Sequence, residues 1–368
     1  MPGREPPKGR GAVANPAGRF EPRSLEPVFD DLDPSDLPPS ARTETFTEAA
    51  RRILTRNDSP DVPFDVSINP YRGCEHGCAY CFARPSHAYL NLSPGLDFET
   101  KIFVKPDAAR LLARELAKPG YVCTPIALGT NTDPYQPIER ERRITRAVLE
   151  VLAEHRNPFS IVTKSALVLR DLDLIAAAAA ERRASVFLSV TTLDRGLARR
   201  LEPRASAPHR RLEAIRTLAQ AGVPTGVLAS PMIPALNDHE LEAILDAAAS
   251  AGAVYANYIL VRLPHEVKEV FAGWLAEHEP GRAAKILDRI RETRGGKLYD
   301  PRFGARMRGE GPYAEILARR FQVASHRLGF DRMRPSLDTG AFRVPARSSP
   351  QRALFATTND AIRDAKPS

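Results

Sequence analysis

Cysteine and long apolar runs are both scarce in this chain of 368 residues. Its four cysteines are too few to staple a disulfide scaffold. No run of eighteen apolar residues occurs, and the longest alanine-rich stretch, residues 175–180, is far too short to span a bilayer. The opening MPGREPPKGRGAV has no apolar h-region, so no secretory signal is expected. These absences predict a cytoplasmic protein without membrane association. Fibrous and wholly disordered classes are excluded too, because 43% of the residues are hydrophobic and 27% charged. The length suits two domains or one large one.

Basic charge is in excess, at a net +8. Between residues 282 and 334 stand twelve Arg and two Lys against six acids. This local excess makes the stretch the expected contact surface for a nucleic acid. Two blander readings stand beside it. Arginine is abundant throughout, and acids such as Asp288, Glu292 and Glu310 are available to pair with these arginines.

The first forty residues hold nine of the 33 prolines, which deny the backbone helix and ladder bonds. Residues 1–59 are therefore expected to be a mostly disordered segment, with a short helix at 45–54. A disordered tail is expected over 341–368. Between these ends, β-rich runs at 64–69, 125–129, 159–163, 185–191, 225–229 and 254–261 alternate with helical stretches at 107–117, 139–154, 172–182, 208–221 and 238–251. Such alternation predicts a parallel sheet with right-handed crossovers. An α/β fold built as a partial (βα)6 TIM-like barrel, with a core over 60–280, fits this spacing, and so does a doubly wound sheet. Chemistry in both collects at the C-terminal strand ends. A helical and loop-rich basic extension follows over 281–340, with helices expected at 270–291 and 313–328.

Three of the four cysteines crowd into eight residues after the first strand, in NPYRGCEHGCAYCFARPSH. Cys74, Cys78 and Cys81 have C-x3-C-x2-C spacing, and Cys123 lies 42 residues further on. A structural zinc site wants a fourth ligand, which His76 or His87 would have to supply. Three thiolates suit a [4Fe–4S] cluster with one iron left open to a non-protein ligand. The remaining six of the eight histidines are given no chemistry.

This motif, with Tyr80 just before the last cysteine, resembles the signature of the radical SAM superfamily. The wider context is similar to its spore photoproduct lyase and "DNA repair photolyase" branch. The resemblance rests on NPYRGC at 69–74, YCFARPSH at 80–87, GTNTDPYQPIE at 129–139, TKS at 163–165, SVTTLD at 189–194, SPMIPALND at 230–238 and ILVRLP at 259–264, and covers roughly residues 60 to 340. It implies a [4Fe–4S] cluster on Cys74, Cys78 and Cys81. It also implies S-adenosylmethionine (SAM) on the open iron and reductive cleavage to a 5′-deoxyadenosyl radical that abstracts hydrogen from a substrate. A reductant such as flavodoxin or ferredoxin is implied as partner. The substrate stays unidentified, with nucleic acid one candidate.

SAM needs a cation for its carboxylate, acceptors for its amino group, and polar partners for ribose and adenine. Thr130, Asn131, Thr132 and Asp133 offer such groups at the end of the second strand, though turn residues of these types occur there anyway. Lys164 is placed to face the carboxylate. Ser189, and the pair Glu202 and Arg211, follow the fourth strand. That pair either reaches SAM or orders the following helix. Tyr80 is expected near adenine, and Arg72 beside the cluster, where positive charge raises its reduction potential. Asn237, Tyr258 and Arg262 are weaker candidates. The lyase branch implies a hydrogen-donating thiol at the end of the second strand. Here GTNTDPY holds none, so thymine-dimer repair by that route lacks its donor. A non-catalytic Fe–S protein is the remaining alternative.

Overall fold

The computed structural model describes residues 9–16, 18–20, 42–330 and 336–345. Ten strands are labelled in chain order: β1 (Glu44–Thr47), β2 (Leu54–Arg56), β3 (Val66–Ile68), β4 (Tyr71–Arg72), β5 (Lys101–Val104), β6 (Ile126–Leu128), β7 (Phe159–Thr163), β8 (Ala184–Ser189), β9 (Thr225–Met232) and β10 (Tyr255–Leu260). Seven of them form one sheet in the order β10-β9-β8-β7-β6-β3-β2. All neighbours in it are parallel except β2, which runs antiparallel to β3 at the edge. The six parallel strands are the predicted (βα) repeats, and β10 and β2 remain unpaired edges among the described residues. The fold is a mixed α/β, partial TIM-like barrel. A second, three-stranded sheet, β1-β5-β4, flanks it.

The strands read as continuous apolar runs because both faces are covered. All six residues of β8 are buried. The outer helices are amphipathic, and Ala108–Leu116 turns Leu111, Leu112 and Leu116 inward. Ile68, Leu128, Ile161, Val186 and Val227 belong to the core that joins strands to helices.

Several expectations are corrected. Residues 45–54 are not a helix: β1 and β2 lie there, and β1 pairs in register with β5 from Glu44↔Lys101 to Thr47↔Val104. Phe46 stacks on Phe103 across that pair, so tertiary pairing overrides local preference. The helix expected over 139–154 is split at Arg143, which has φ 51°, into Glu139–Arg142 and Ile144–Glu154. The one expected at 270–291 is two, Val267–His278 and Ala283–Glu292, because Pro280 denies the interior bond.

The N-terminal segment differs most. Within 1–59, Arg10, Gly11, Ala12, Gly18 and Ile53 are buried, Gly11 and Ala12 against the cysteine loop. Proline-rich composition did not reveal the buried carboxylate that captures them. At the other end, Phe342 packs on Tyr121 and Arg343 N–H donates to His155 O. The rest of the expected tail, 346–368, lies outside the described residues, as do 21–41. Among the described residues, no helix is long and apolar enough to cross a membrane.

Candidate active site

The C-terminal ends of the strands open onto a cavity of about 670 Å³, a size that suits a cofactor or drug-sized ligand. Cys74, Cys78 and Cys81 form one wall of it, and Thr130, Asn131, Thr132, Asp133, Lys164 and Ser189 another. Residues 49 to 115 positions apart in sequence thus meet at the mouth of one sheet, as the parallel topology requires.

The turn after β6 is built around Gly129. Its φ is +86°, and a Cβ there would fall 2.0 Å from Val162 O, so only glycine lets the chain turn against β7. Asn69 then braces the turn: its Oδ1 accepts from Asn131 N at 3.1 Å and Thr132 N at 3.3 Å. Thr132 Oγ1 donates to Tyr71 O at 2.9 Å. Asp133 accepts from Thr163 Oγ1 at 2.7 Å, Lys164 N at 2.7 Å and Tyr135 N at 2.9 Å. His76 Nδ1 stands 3.3 Å from Asp133 Oδ2. Burial pushes the Asp133 carboxyl up, but His76 and these donors outweigh it and hold it at about 2. Asp133 is therefore an anion that ties the turn after β6 to the end of β7 and to the cysteine loop.

Lys164 follows β7 and lines the cavity. Its Nζ lies 5.7 Å from the Tyr80 ring centre, and it makes no salt bridge with any described carboxylate. An ammonium beside three thiols, with no described carboxylate in salt-bridge range, is the feature a bound anion would complete.

Glu202 and Arg211 do not reach the cavity. They form a salt bridge behind its wall, with side chains 0% and 1% exposed. Arg211 also donates to Ser189 O at 3.0 Å and Ser206 O at 2.6 Å. Glu202 accepts from Thr191 Oγ1 at 2.6 Å and from the Tyr80 hydroxyl. Burial alone would raise the Glu202 carboxyl; Arg211, then Lys164, bring it to about 2. Tyr80 is likewise behind the wall, buried, with its hydroxyl tied to Glu202 and Thr191. The pair thus orders the end of β8 and the helix after it, and fastens Tyr80.

Asn237 has a similar bracing role. Its Nδ2 donates to Thr191 O at 2.6 Å and Pro231 O at 3.0 Å. Tyr258 is buried, whereas Arg262 lines the cavity, with its guanidinium 5.0 Å from the Phe82 ring centre. Arg72 lines it as well, but pairs with Glu48 at 2.9 Å, which offsets its charge. Cys123 is elsewhere: it precedes β6, and its Sγ meets Asn157 Oδ1 at 3.4 Å.

The thiols carry the chemistry of buried cysteines. Burial, then the Glu202 charge, pushes Cys78 up to about 12. Burial, then Asp133, holds Cys74 well above its ordinary value, with Cys78 and Cys81 adding to it. Burial also raises Cys81, against Arg84 and Lys164. Three thiols that repel one another's ionisation are close together, and a coordinated metal removes that penalty by taking the thiolate directly. No group of three described His, Cys, Asp or Glu side chains converges on a single ion. Thiolates that each bind a different iron of a cluster need no such convergence. Of the two histidines named as fourth zinc ligands, His76 faces Asp133 through Nδ1, and His87, which bonds Lys101 O through Nε2 at 3.0 Å, does not line the cavity with the thiols.

Sequence reasoning missed Asn69, His76 as the partner of Asp133, and the wall formed by Thr55, Arg56, Asn57 and Ser59. Asn69 opens the NPYRGC motif and was legible there. The others belong to contacts that no spacing reveals.

A barrel mouth with three cysteines between its first strand and first helix defines a class, and comparison with known proteins agrees. Residues 68–248 match the Radical SAM superfamily. An uncharacterised protein of Mycobacterium tuberculosis is 36% identical over 293 residues, covering 78% of this chain and 82% of that one. An uncharacterised protein of Methanocaldococcus jannaschii is 31% identical over 201 residues, covering 55% of this chain and 72% of that one. The chain belongs to the radical SAM superfamily, whose cofactors are a [4Fe–4S] cluster and SAM. Its fold is that of spore photoproduct lyase: the complex of that enzyme with dinucleoside spore photoproduct superposes with a TM-score of 0.55 at 18% identity, covering 77% of this chain and 79% of that one.

Proposed function

We propose that this radical SAM enzyme holds its cluster on Cys74, Cys78 and Cys81, and SAM in the adjoining cavity, to abstract hydrogen from a substrate entering at the strand ends. The observation that carries this is the meeting of the three thiols and the carboxylate-free Lys164 ammonium in one cavity. When bound and reduced, cluster and SAM together supply a 5′-deoxyadenosyl radical.

The chain's own part is orientation and exclusion of water. Lys164 binds the SAM carboxylate by a charge-assisted bond. Thr130 and Asn131 meet the amino group from the turn that Gly129 and Asn69 shape. Ser189 is held in place through its carbonyl by Arg211. Glu202, Arg211 and Tyr80 act as positioning residues rather than SAM ligands. An external reductant such as flavodoxin or ferredoxin supplies the electron.

Thymine-dimer lysis through a thiol donor is not favoured. The fourth cysteine is not in the cavity lining, and Thr130 and Asn131 occupy the strand end. Nucleic-acid contact through residues 282–334 gains no support either, because Arg289, Arg291 and Arg302 pair with the very acids Glu292, Asp288 and Glu310.

Anaerobic reconstitution with iron and sulfide tests the proposal. About four irons per chain and conversion of SAM to 5′-deoxyadenosine after dithionite reduction are expected. A chain that takes up iron but leaves SAM intact would be the non-catalytic Fe–S protein instead.

A further inference from the structure

The cysteine loop has little architecture of its own. Between Cys74 and Cys81 its backbone bonds within the loop are only Gly77 N to Cys74 O and Cys81 N to Cys78 O; the others reach outside it, from Cys74 N to Phe98 O, Glu75 N to Gln136 Oε1, Ala79 N to Leu201 O, Arg204 N to His76 O and Arg84 N to Cys81 O. No ladder fixes it, so its shape is imposed by what packs around it.

One of those neighbours comes from the far N-terminus. Gly11 N donates to Glu99 Oε2 at 3.0 Å, and Ala12 N to Glu99 Oε1 at 2.7 Å. Arg10 Nη1 donates to Glu99 O at 2.7 Å. Glu99 is fully buried, and it pairs with the Arg84 side chain at 2.5 Å, also fully buried. Arg84 in turn donates twice to Cys78 O, from Nε at 3.0 Å and Nη2 at 2.7 Å. Contact therefore runs unbroken from Gly11 and Ala12, through Glu99 and Arg84, to the carbonyl of a cysteine of the motif. Gly11 also lies flush on the loop: a Cβ there would fall 1.6 Å from Gly77 O. Further along, Pro16 O accepts from Ser93 Oγ at 2.6 Å, and Arg19 N donates to Glu266 Oε1 at 3.1 Å.

We infer that Arg10, Gly11 and Ala12 are positioning residues, a strap that holds the cysteine loop in its cluster-binding shape from the side away from the cavity. The inference rests on the proposed ligation by Cys74, Cys78 and Cys81. Without the strap, the Glu99 carboxylate would lose two backbone donors and, among the described residues, keep Arg84. Such a group is costly to leave short of donors. It would draw in water, and Arg84 would lose the geometry that fixes Cys78 O. An exposed face of the loop would also admit chelators and oxygen to the iron.

The test compares Gly11→Leu and a chain lacking residues 2–13 with the full chain. Gly281→Ala, whose Cβ would meet nothing within 4 Å, serves as control. Hydrogen exchange of residues 73–81 in iron-free protein should rise at least about ten-fold in both strap variants and stay unchanged in the control. Iron loss to a chelator from reconstituted protein should accelerate by a similar factor. A synthetic peptide of residues 1–20, added to the shortened chain, should restore both. Unchanged exchange and iron retention would overturn the strap, and so would a rise in exchange spread equally over the barrel. Exchange confined to the loop in a chain whose wild type takes up no iron would support the strap and overturn the ligation it rests on.

Discussion

Arginine does different things in two regions of the molecule. Around the cysteine loop it is buried. Arg84 and Glu99 are both 0% exposed, as are Arg211 and Glu202 to within 1%, and each arginine also caps backbone carbonyls. Over residues 282–334 the pairs are mostly at the surface: Arg289–Glu292 and Arg291–Asp288 span one helical turn, with every side chain at least 42% exposed. Net charge is a poor guide to this difference. The basic segment carries the sequence's charge excess, yet Arg289, Arg291 and Arg302 in it are engaged in solvent-screened pairs worth little. The inner arginines hardly register in composition, yet each holds a buried carboxylate that would otherwise stand uncompensated.

The largest effect that would sharpen the contrast concerns the thiols. Cys74→Ala, Cys78→Ala or Cys81→Ala should abolish iron binding, and Cys123→Ala should leave it whole, as read by iron analysis. Equal loss from Cys123→Ala would break the three-ligand assignment.

Next comes the inner pair. Arg211→Ala should destabilise the fold by about 3–5 kcal/mol, the cost of stranding a buried charge, measured by urea unfolding of the iron-free chain. A loss below about 1 kcal/mol would make the inner arginines no different from the outer ones.

Lys164→Ala should weaken SAM binding by about 1.5–3 kcal/mol, measured by equilibrium dialysis on reconstituted protein. Unaltered affinity would return Lys164 to the role of a solvated strand-end cation.

The smallest effects belong to the outer segment. Arg291→Ala should cost less than about 1 kcal/mol, less still in high salt. Asp300 is held at about 2, against an ordinary 3.8, chiefly by the Arg302 side chain. Its unfolded form thus takes a proton first as pH falls. What it contributes is complete above pH 3.8 and fades as pH drops through about 2. Thermal melts of wild type and Asp300→Asn over that window should converge at the acid end. A difference that grows as pH falls would contradict the sign.

How much of this was legible beforehand follows from the range of the contacts. All six parallel strands overlap the runs read from alternating β-rich and helical segments, with β8 starting one residue earlier and β9 ending three residues later, because a strand covered on both faces is largely apolar along its length. The helix misread at 45–54 shows the limit. Those residues have no decisive local pattern, and only pairing with β5 makes 44–47 a strand, as pairing with β3 does from Leu54.

The site divides in the same way. That Cys74, Cys78 and Cys81 lie together was legible because three cysteines within one loop are a local fact of spacing, and that Thr130 to Asp133, Lys164 and Ser189 line the same cavity because a parallel sheet brings its C-terminal ends together. That Glu202 and Arg211 brace the wall instead of facing the ligand was decided by burial. The strap was decided by burial as well: a proline-rich N-terminus becomes ordered over Arg10 to Ala12 because Glu99, 87 residues beyond Ala12, is sealed from water and takes its donors from whichever backbone reaches it. Sequence by itself determined the repeats of the barrel and the thiols at its mouth, since both are set by near neighbours in the chain. Tertiary structure alone decided which charges are shielded, because desolvation depends on everything packed around a group and on nothing in its own stretch of sequence.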